Sequence, residues 1–298
     1  MKVTPGEGFV EVAERCFVAR YSPWDVSVGA VIGTAGILVI DTRASVRQGR
    51  ELLDDLRRLE QGADVRWVVN THEHFDHVFG NRALEAADIY AHENAAAGID
   101  ASAARVKQLI AAEPEGDPDR PEITAQVLAD VMASEPLLPN VTFSSVATID
   151  LGDRYVELVY PGRGHTSGDL VLRVPDADVL FVGDLVEESG PPAYGDDSFP
   201  LDWPGSLDLV VGMLTARSMV VPGHGQPVDK VFVEAQRSDV ADVATRIGSQ
   251  HLEGVPLDDV FSSGYEWPFE VEHLRAAVER GYSQLGTQVA SRPTLPLA

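Results

Sequence analysis

Apolar positions along the chain alternate between two periods, one of strands and one of helices. Over residues 8–41 they alternate in the manner of extended segments, broken at Ser22-Pro23 and at Gly33-Thr34-Ala35-Gly36, which predicts three strands. Leu52, Leu53, Leu56 and Leu59 then recur at helical spacing, which predicts an amphipathic helix over 44–60. Strands near 65–70 and 88–91 follow. Residues 93–138 read as a helical insertion in two pieces, 101–112 and 121–134, split by Glu113-Pro114-Glu115-Gly116-Asp117-Pro118. The insertion suits either a surface helical hairpin or a lid over a pocket. Strands return at 141–150, 154–160, 169–174 and 178–183. Beyond His224, the residues Val228, Phe232, Ala235, Val240, Val243 and Ile247 fall at helical spacing and open a helical C-terminal extension over 227–298. A last helix is predicted over 268–285, with a frayed tail from Arg292. Nothing divides this continuous α/β pattern, so residues 1–298 are read as one domain.

Several apolar runs end on a polar donor, and this is where the chemistry lies. Val65-Arg66-Trp67-Val68-Val69 runs into Thr71-His72-Glu73-His74-Phe75-Asp76-His77, which packs three imidazoles and a carboxylate into one loop. Neutral imidazole is the commonest metal ligand, and mixed His/Asp donors suit zinc, iron or manganese. His72 and His74 alternate, so an extended backbone points them the same way, while Asp76 and His77 begin the turn beyond. His165 follows a strand-like segment in Gly162-Arg163-Gly164-His165, Asp184 closes Phe181-Val182-Gly183, and His224 lies in Pro222-Gly223-His224-Gly225. Asp41 ends Ile37-Leu38-Val39-Ile40 in the same way. Each donor sits where a buried strand stops, and glycines beside most of them let backbone approach closely.

Asp41, the cluster of His72, His74, Asp76 and His77, then His165, Asp184 and His224 match in order the five motifs of the metallo-β-lactamase fold superfamily, which the chain resembles over residues 27–226. The resemblance implies an α/β fold of the αβ/βα sandwich type, two mixed sheets packed face to face with helices outside and metals at one edge. It implies that His72, His74 and His165 hold a first metal, that Asp76, His77 and His224 hold a second, and that Asp184 bridges them. Asp41 would brace the histidine loop from behind. Two divalent ions sharing a carboxylate and a hydroxide repel less, and water between them loses its proton near neutral pH. The expected activity is therefore a dinuclear metal hydrolase, with zinc the first candidate. A metal-bridging hydroxide would attack the carbonyl of a small ester, thioester, lactone or amide, with Asp76 and Asp184 as the catalytic carboxylates.

Departures narrow this further. Aspartate at 184 stands where the best-known zinc β-lactamases carry cysteine, which disfavours antibiotic hydrolysis. The pattern is nearer the glyoxalase II, lactonase and persulfide dioxygenase branches. Lactone hydrolases of the superfamily carry a tyrosine shortly after the bridging aspartate, and Glu187 stands there instead. The glutathione-holding basic residues of glyoxalase II have no counterpart late in the chain. An alternative is a mononuclear iron dioxygenase in which His72, His165 and Asp184 form the metal site.

Charge and composition bear on partners. The chain has 298 residues, 23 Lys+Arg against 47 Asp+Glu, and a formal net charge of −24. Nucleic-acid binding needs a basic face, so a nuclease is not expected. The first residues carry no basic segment followed by an apolar stretch, and no apolar run approaches the ~20 residues that span a membrane. Cys16 is the one cysteine, so an intrachain disulfide is impossible and a reducing cytoplasm is the expected compartment. His92, His251 and His273 are read as packing or surface residues. From Asp184 to Asp202 the chain holds six carboxylates and no lysine or arginine, with Tyr194, Phe199 and Trp203 as candidate apolar walls. A negative rim favours neutral or cationic small-molecule substrates over anions.

Overall fold

The computed structural model describes residues 2–290 apart from Ala63, Pro118, Asp119 and Ser263; the tail expected to fray from Arg292 lies outside them. Strands β1 (Val10–Ala13), β2 (Cys16–Tyr21), β3 (Val26–Gly33) and β4 (Gly36–Ile40) come first, then helix α1 (Val46–Leu59) and β5 (Val65–Val69). A short turn of helix, α2 (Phe75–Val78), precedes β6 (Asp88–His92) and α3 (Glu93–Ala112). The small hairpin of β7 (Gly116–Asp117) and β8 (Arg120–Thr124) leads into α4 (Ala125–Ala133). The second half runs β9 (Val141–Phe143), β10 (Val146–Asp150), β11 (Tyr155–Val159), β12 (Val171–Val174), β13 (Val179–Glu187), α5 (Trp203–Met213), β14 (Met219–His224), α6 (Lys230–Leu252) and α7 (Val271–Ala290).

The strands form two blocks that meet where His224 of β14 pairs with Val26 of β3. One block has the order β10-β11-β12-β13-β14, and the other joins β3, β4, β5, β6 and β9, with β2 also paired to β3 and β1 to β2. The two-residue period of each strand sorts its side chains between layers. Leu38 and Ile40 of β4 and Val69 of β5 pack with Leu158, Leu172, Val179 and Phe181 from the other block, forming the apolar layer between the sheets. Their neighbours Ile37, Val39 and Val68 face outward, onto Leu52 and Leu56 of α1. Likewise Leu180 and Val182 turn from Phe181 toward Leu207, Val240 and Leu274 of the C-terminal helices. The sandwich with helices outside follows from this alternation.

Three local expectations are corrected. The first 8–41 run is four strands rather than three, because Arg15 turns the chain with a φ of 54° between β1 and β2. The insertion is helical from Glu93 rather than 101, and the helix is capped by the His92 side chain, which accepts from the Asn94 amide at 3.2 Å. Residues 121–124 are strand rather than helix. This segment pairs with β7, Gly116 opposite Thr124 and Asp117 opposite Arg120, and Thr124 then starts α4 by accepting from the Val127 amide. No described helix is long and apolar enough to cross a membrane.

Candidate metal centre

The strand ends deliver the donors to one edge of the sandwich. β5 ends at the loop carrying His72 and His74, and α2 turns Asp76 and His77 back over it. Asp184 comes from within β13, and His224 ends the adjacent parallel β14. Two glycines make the approach possible. A Cβ at Gly223 would run into Asp184 Oδ1, and one at Gly183 would stand 2.8 Å from Thr71 Cβ with φ at 53°. The donors fall into groups whose ligand atoms lie within 4.8 Å of one another: His72, His74, His165 and Asp184 in one, Asp76, His77 and His224 in another. Asp184 spans both. Its carboxylate lies 3.6 Å from His72 Nε2 and 3.4 Å from His165 Nε2 on one side, and 3.3 Å from His77 Nε2 and 3.2 Å from His224 Nε2 on the other.

The outer nitrogen of each ring is held, and the network assigns the tautomers. His165 Nδ1 donates to the Ala193 carbonyl at 2.8 Å and His224 Nδ1 to the Trp24 carbonyl at 2.7 Å. His77 Nδ1 donates to Asp41 Oδ2 at 2.8 Å, and His74 Nε2 to Asp197 Oδ2 at 3.1 Å. Thr71 Oγ1 donates to Asp41 Oδ2, which leaves it free to accept from His72 Nδ1 at 3.0 Å. In neutral rings the inner nitrogens therefore carry lone pairs that face one another. His165 Nε2 and His74 Nδ1 are 2.8 Å apart, and His77 Nε2 and His224 Nε2 are 3.2 Å apart. His72 Nε2 and Asp184 Oδ1 are buried with no hydrogen-bond partner. A cation relieves all of these at once, so the residues present fit the two-metal group that the motifs imply.

Before any cation's charge is counted, burial and the carboxylates pull the rings in opposite directions. Burial drives His72 well below the ordinary imidazole range and His165 down to about 4. Burial acts on His77 too, but Asp184, Asp41 and Asp76 outweigh it and hold that ring at about 9. Asp184 is held well below the ordinary carboxylate range because His77, His224 and His72 overcome its burial. Glu187 is pushed well above that range by burial, with His224 the main opposing influence.

All eight residues singled out in the sequence, Asp41 included, come together here. Three further contributors were not singled out in the sequence as part of the metal set. Asp197 braces His74 and is itself paired with Arg105 of α3. Thr71 links Asp41 to His72. Glu187, read from the sequence as a departure from a tyrosine and as one carboxylate of the acidic rim, faces the centre. The acidic segment is accordingly less of a free rim than its composition implies. Asp197 pairs with Arg105, Asp202 with Arg163 at 2.6 Å, and Glu188 accepts from the Gln226 amide at 2.6 Å.

The donors open into a cavity of about 730 Å³. Trp24, Pro191 and Tyr194 wall it, and the β7–β8 hairpin of the insertion brings Arg120 and Glu122 to its mouth. Trp203 is fully buried and packs against the His165 ring at 5.8 Å, while Phe199 lies under Arg163 and Arg280 rather than in the wall. Beyond Pro191 and His273 an aromatic shelf continues, built by Phe261, Tyr265, Trp267 and Phe269. His92 stacks on Tyr160 at 3.8 Å and His251 meets Tyr282 edge-on, so both pack rather than ligate.

The family model described as "Metallo-beta-lactamase superfamily" matches residues 21–224. A metallo-beta-lactamase type 2 of Bacillus cereus is 27% identical over 207 residues, which cover 68% of this chain and 69% of that protein. Among solved structures, the stereoselective inverting sec-alkylsulfatase from Pseudomonas sp. superposes with a TM-score of 0.74 at 18% identity. That match covers 97% of this chain and 52% of the sulfatase, so the chain spans about half the sulfatase's length. A metallo-beta-lactamase from Pontibacter korlensis superposes with a TM-score of 0.57 at 21% identity, covering 78% of this chain and 98% of that structure.

Proposed function

The chain belongs to the metallo-beta-lactamase superfamily, and on that premise we propose that it is a dinuclear metal hydrolase of a small, neutral or cationic ester, thioester, lactone or amide, with zinc the first candidate metal. The observation that carries this reading is the pairing of opposed inner nitrogens, His165 against His74 and His77 against His224, with Asp184 between the pairs. When bound, two divalent ions supply a Lewis-acidic centre and bring the pKa of water near neutrality. The chain's own residues do the rest. Asp184 and Asp76 carry the negative charge at the centre. To Asp76, whose Oδ2 lies 3.5 Å from His224 Nε2 and which lines the cavity, we assign the orienting of a water and the taking of its proton. Trp24, Pro191 and Tyr194 exclude bulk water, and the aromatic shelf past Pro191 offers a seat for an apolar substituent.

A single-iron dioxygenase would use His72, His165 and Asp184 and leave Asp76, His77 and His224 without a task, which favours the hydrolase. One observation favours a second reading, hydrolysis of a sulfate ester. The alkylsulfatase fold covers 97% of this chain, C-terminal helices included, and those helices flank the aromatic shelf.

Elemental analysis of protein purified without chelator, paired with a panel of p-nitrophenyl esters, lactones and alkyl sulfates, tests these readings. About two zinc-type ions per chain and metal-dependent carbonyl hydrolysis are expected. One iron per chain with oxygen consumption would overturn the hydrolase, and exclusive turnover of alkyl sulfates would replace the carbonyl substrate with the sulfate.

A further inference from the structure

Glu187 is an eighth strong donor that the superfamily motifs leave without a role. It is the last residue of β13, only 6% exposed, and lines the cavity beside Asp76, Asp184 and His224. One of its carboxylate oxygens lies within 4.8 Å of ligand atoms of both Asp184 and His224. On a regular strand, residues three apart point to opposite faces, which would turn Glu187 away from Asp184. The pairing of β13 with β14 is irregular just there. Gly183 pairs with Pro222 and Glu187 with His224, so four steps along β13 match two along β14. That bulge turns Glu187 to the same edge as Asp184. Its position is anchored from behind: Gln236 of α6 accepts from the Glu187 amide at 3.1 Å and donates to the Leu185 carbonyl at 3.2 Å.

The Glu187 carboxylate has no arginine or lysine within 4.0 Å among the described residues. A carboxyl group this buried is either kept neutral by a proton or compensated by a cation. The nearest available partner is the cation that Asp184 and His224 would hold. Two divalent ions bring four positive charges against the carboxylates of Asp76 and Asp184, and Glu187 lowers the remaining excess.

We propose that Glu187 is a further ligand of the second metal, sharing it with Asp76, His77, Asp184 and His224, and that its oxygen biases this position toward oxygen-seeking cations such as manganese or iron. Histidine nitrogens suit zinc, whereas added carboxylate favours harder ions. The inference rests on the dinuclear reading above.

Calorimetric titration of chelator-stripped protein with Zn²⁺ and with Mn²⁺ tests it. The unsubstituted chain should bind two ions in separable steps. Glu187→Gln should leave the first step intact, weaken the second at least tenfold, and weaken it more for Mn²⁺ than for Zn²⁺. Glu187→Asp, which keeps the charge on a shorter arm, should fall between them. Circular-dichroism melts in chelator should show both variants folded, and if Gln is not, Asp alone still reads the second step. Two steps of unchanged affinity in both variants would overturn the Glu187 assignment and leave the dinuclear reading standing. A single step in the unsubstituted chain would overturn both.

Discussion

Asp41 Oδ2 lies 2.8 Å from His77 Nδ1, and the same carboxylate accepts from the Thr71 amide and hydroxyl, each at 2.8 Å. One buried group thus sets the tautomer of His77 and, through Thr71, of His72. Asp41 holds a φ of 63°, outside the comfortable range for a non-glycine residue, so the backbone itself is bent to present it. Asp41→Asn keeps one good acceptor and loses the charge. Metal affinity should drop by about 10- to 100-fold, read by competition with a chromogenic chelator, while the far-ultraviolet spectrum stays unchanged. Wild-type affinity in that variant would mean the carboxylate only packs.

Gly223 shows that the centre can be damaged without touching a donor. The space its side chain would need is filled by Asp184 Oδ1. Gly223→Ala should therefore push the Asp184 carboxylate aside and reproduce much of the loss of metal and turnover expected for Asp184→Asn, which should lower kcat by orders of magnitude. His251→Ala, in a ring-packing position remote from the donors, should change kcat little. Full metal content in Gly223→Ala would show that the carboxylate has room to move.

The seven donors and Asp41 were legible because most of them follow an apolar run, and strand ends converge in this architecture; Asp184 instead stands inside β13, which continues to Glu187. What was not legible depends on contacts that sequence spacing does not encode. Asp197 reaches His74 across 123 positions, and in the sequence it is one more acidic residue of a polar segment. Glu187 depends on an irregularity at Gly183, whose φ of 53° the sequence shows only as one more glycine, inside a strand buried from end to end. The first turns of α3 escaped because they are built from Asn94, Ala95, Ala96, Ala97 and Gly98, too small to give an apolar stripe. Gly98 is small for a reason: a Cβ there would stand 2.9 Å from Glu73 Oε1. The fourth N-terminal strand escaped because the turn at Arg15 uses a left-handed arginine where glycine or asparagine would have been the signal.

Asp169 supplies a dependence on pH. Its carboxylate is buried, accepts from the Thr166 amide at 2.9 Å and from the Thr166 hydroxyl at 2.9 Å, and so pins the loop that carries His165. Burial raises its pKa from 3.8 to about 7, with Glu73 adding to the rise. A folded-state pKa above the unfolded one means that the stabilisation is complete below about pH 4 and is lost as pH rises through about 7. Asp169→Asn cannot ionise. Its stability relative to the unsubstituted chain should improve between pH 4 and 7 by at most about 1.4 kcal/mol per pH unit. Urea unfolding at pH 5 and pH 8 measures the difference, and equal values at both pH would show that Asp169 ionises as freely folded as unfolded.

Substrate charge is the remaining discriminant, and the pairing of the acidic segment changes which residues carry it. Asp197 and Asp202 are taken up by Arg105 and Arg163, and Asp25 by Arg20. At the mouth, Glu122 stands 3.6 Å from Arg120, which leaves the entrance close to neutral. Deeper in, Glu187 and the donor carboxylates would offset the charge of the ions proposed above. Such a cavity gains little from an anionic substrate, so neutral esters or lactones should be hydrolysed with higher kcat/KM than dianionic phosphates or glutathione thioesters. The overall charge of −24 adds a long-range repulsion of anions that falls away as the screening length shortens to about 3 Å at 1 M salt. The preference for neutral substrates should therefore be largest at low ionic strength and shrink as salt is added. Glu122→Gln should improve anionic substrates more than neutral ones, because it leaves Arg120 unopposed at the entrance. Kinetics for an ester and a glutathione thioester between 10 mM and 1 M salt decide the matter, and a thioester preference at the lowest salt would refute the charge argument.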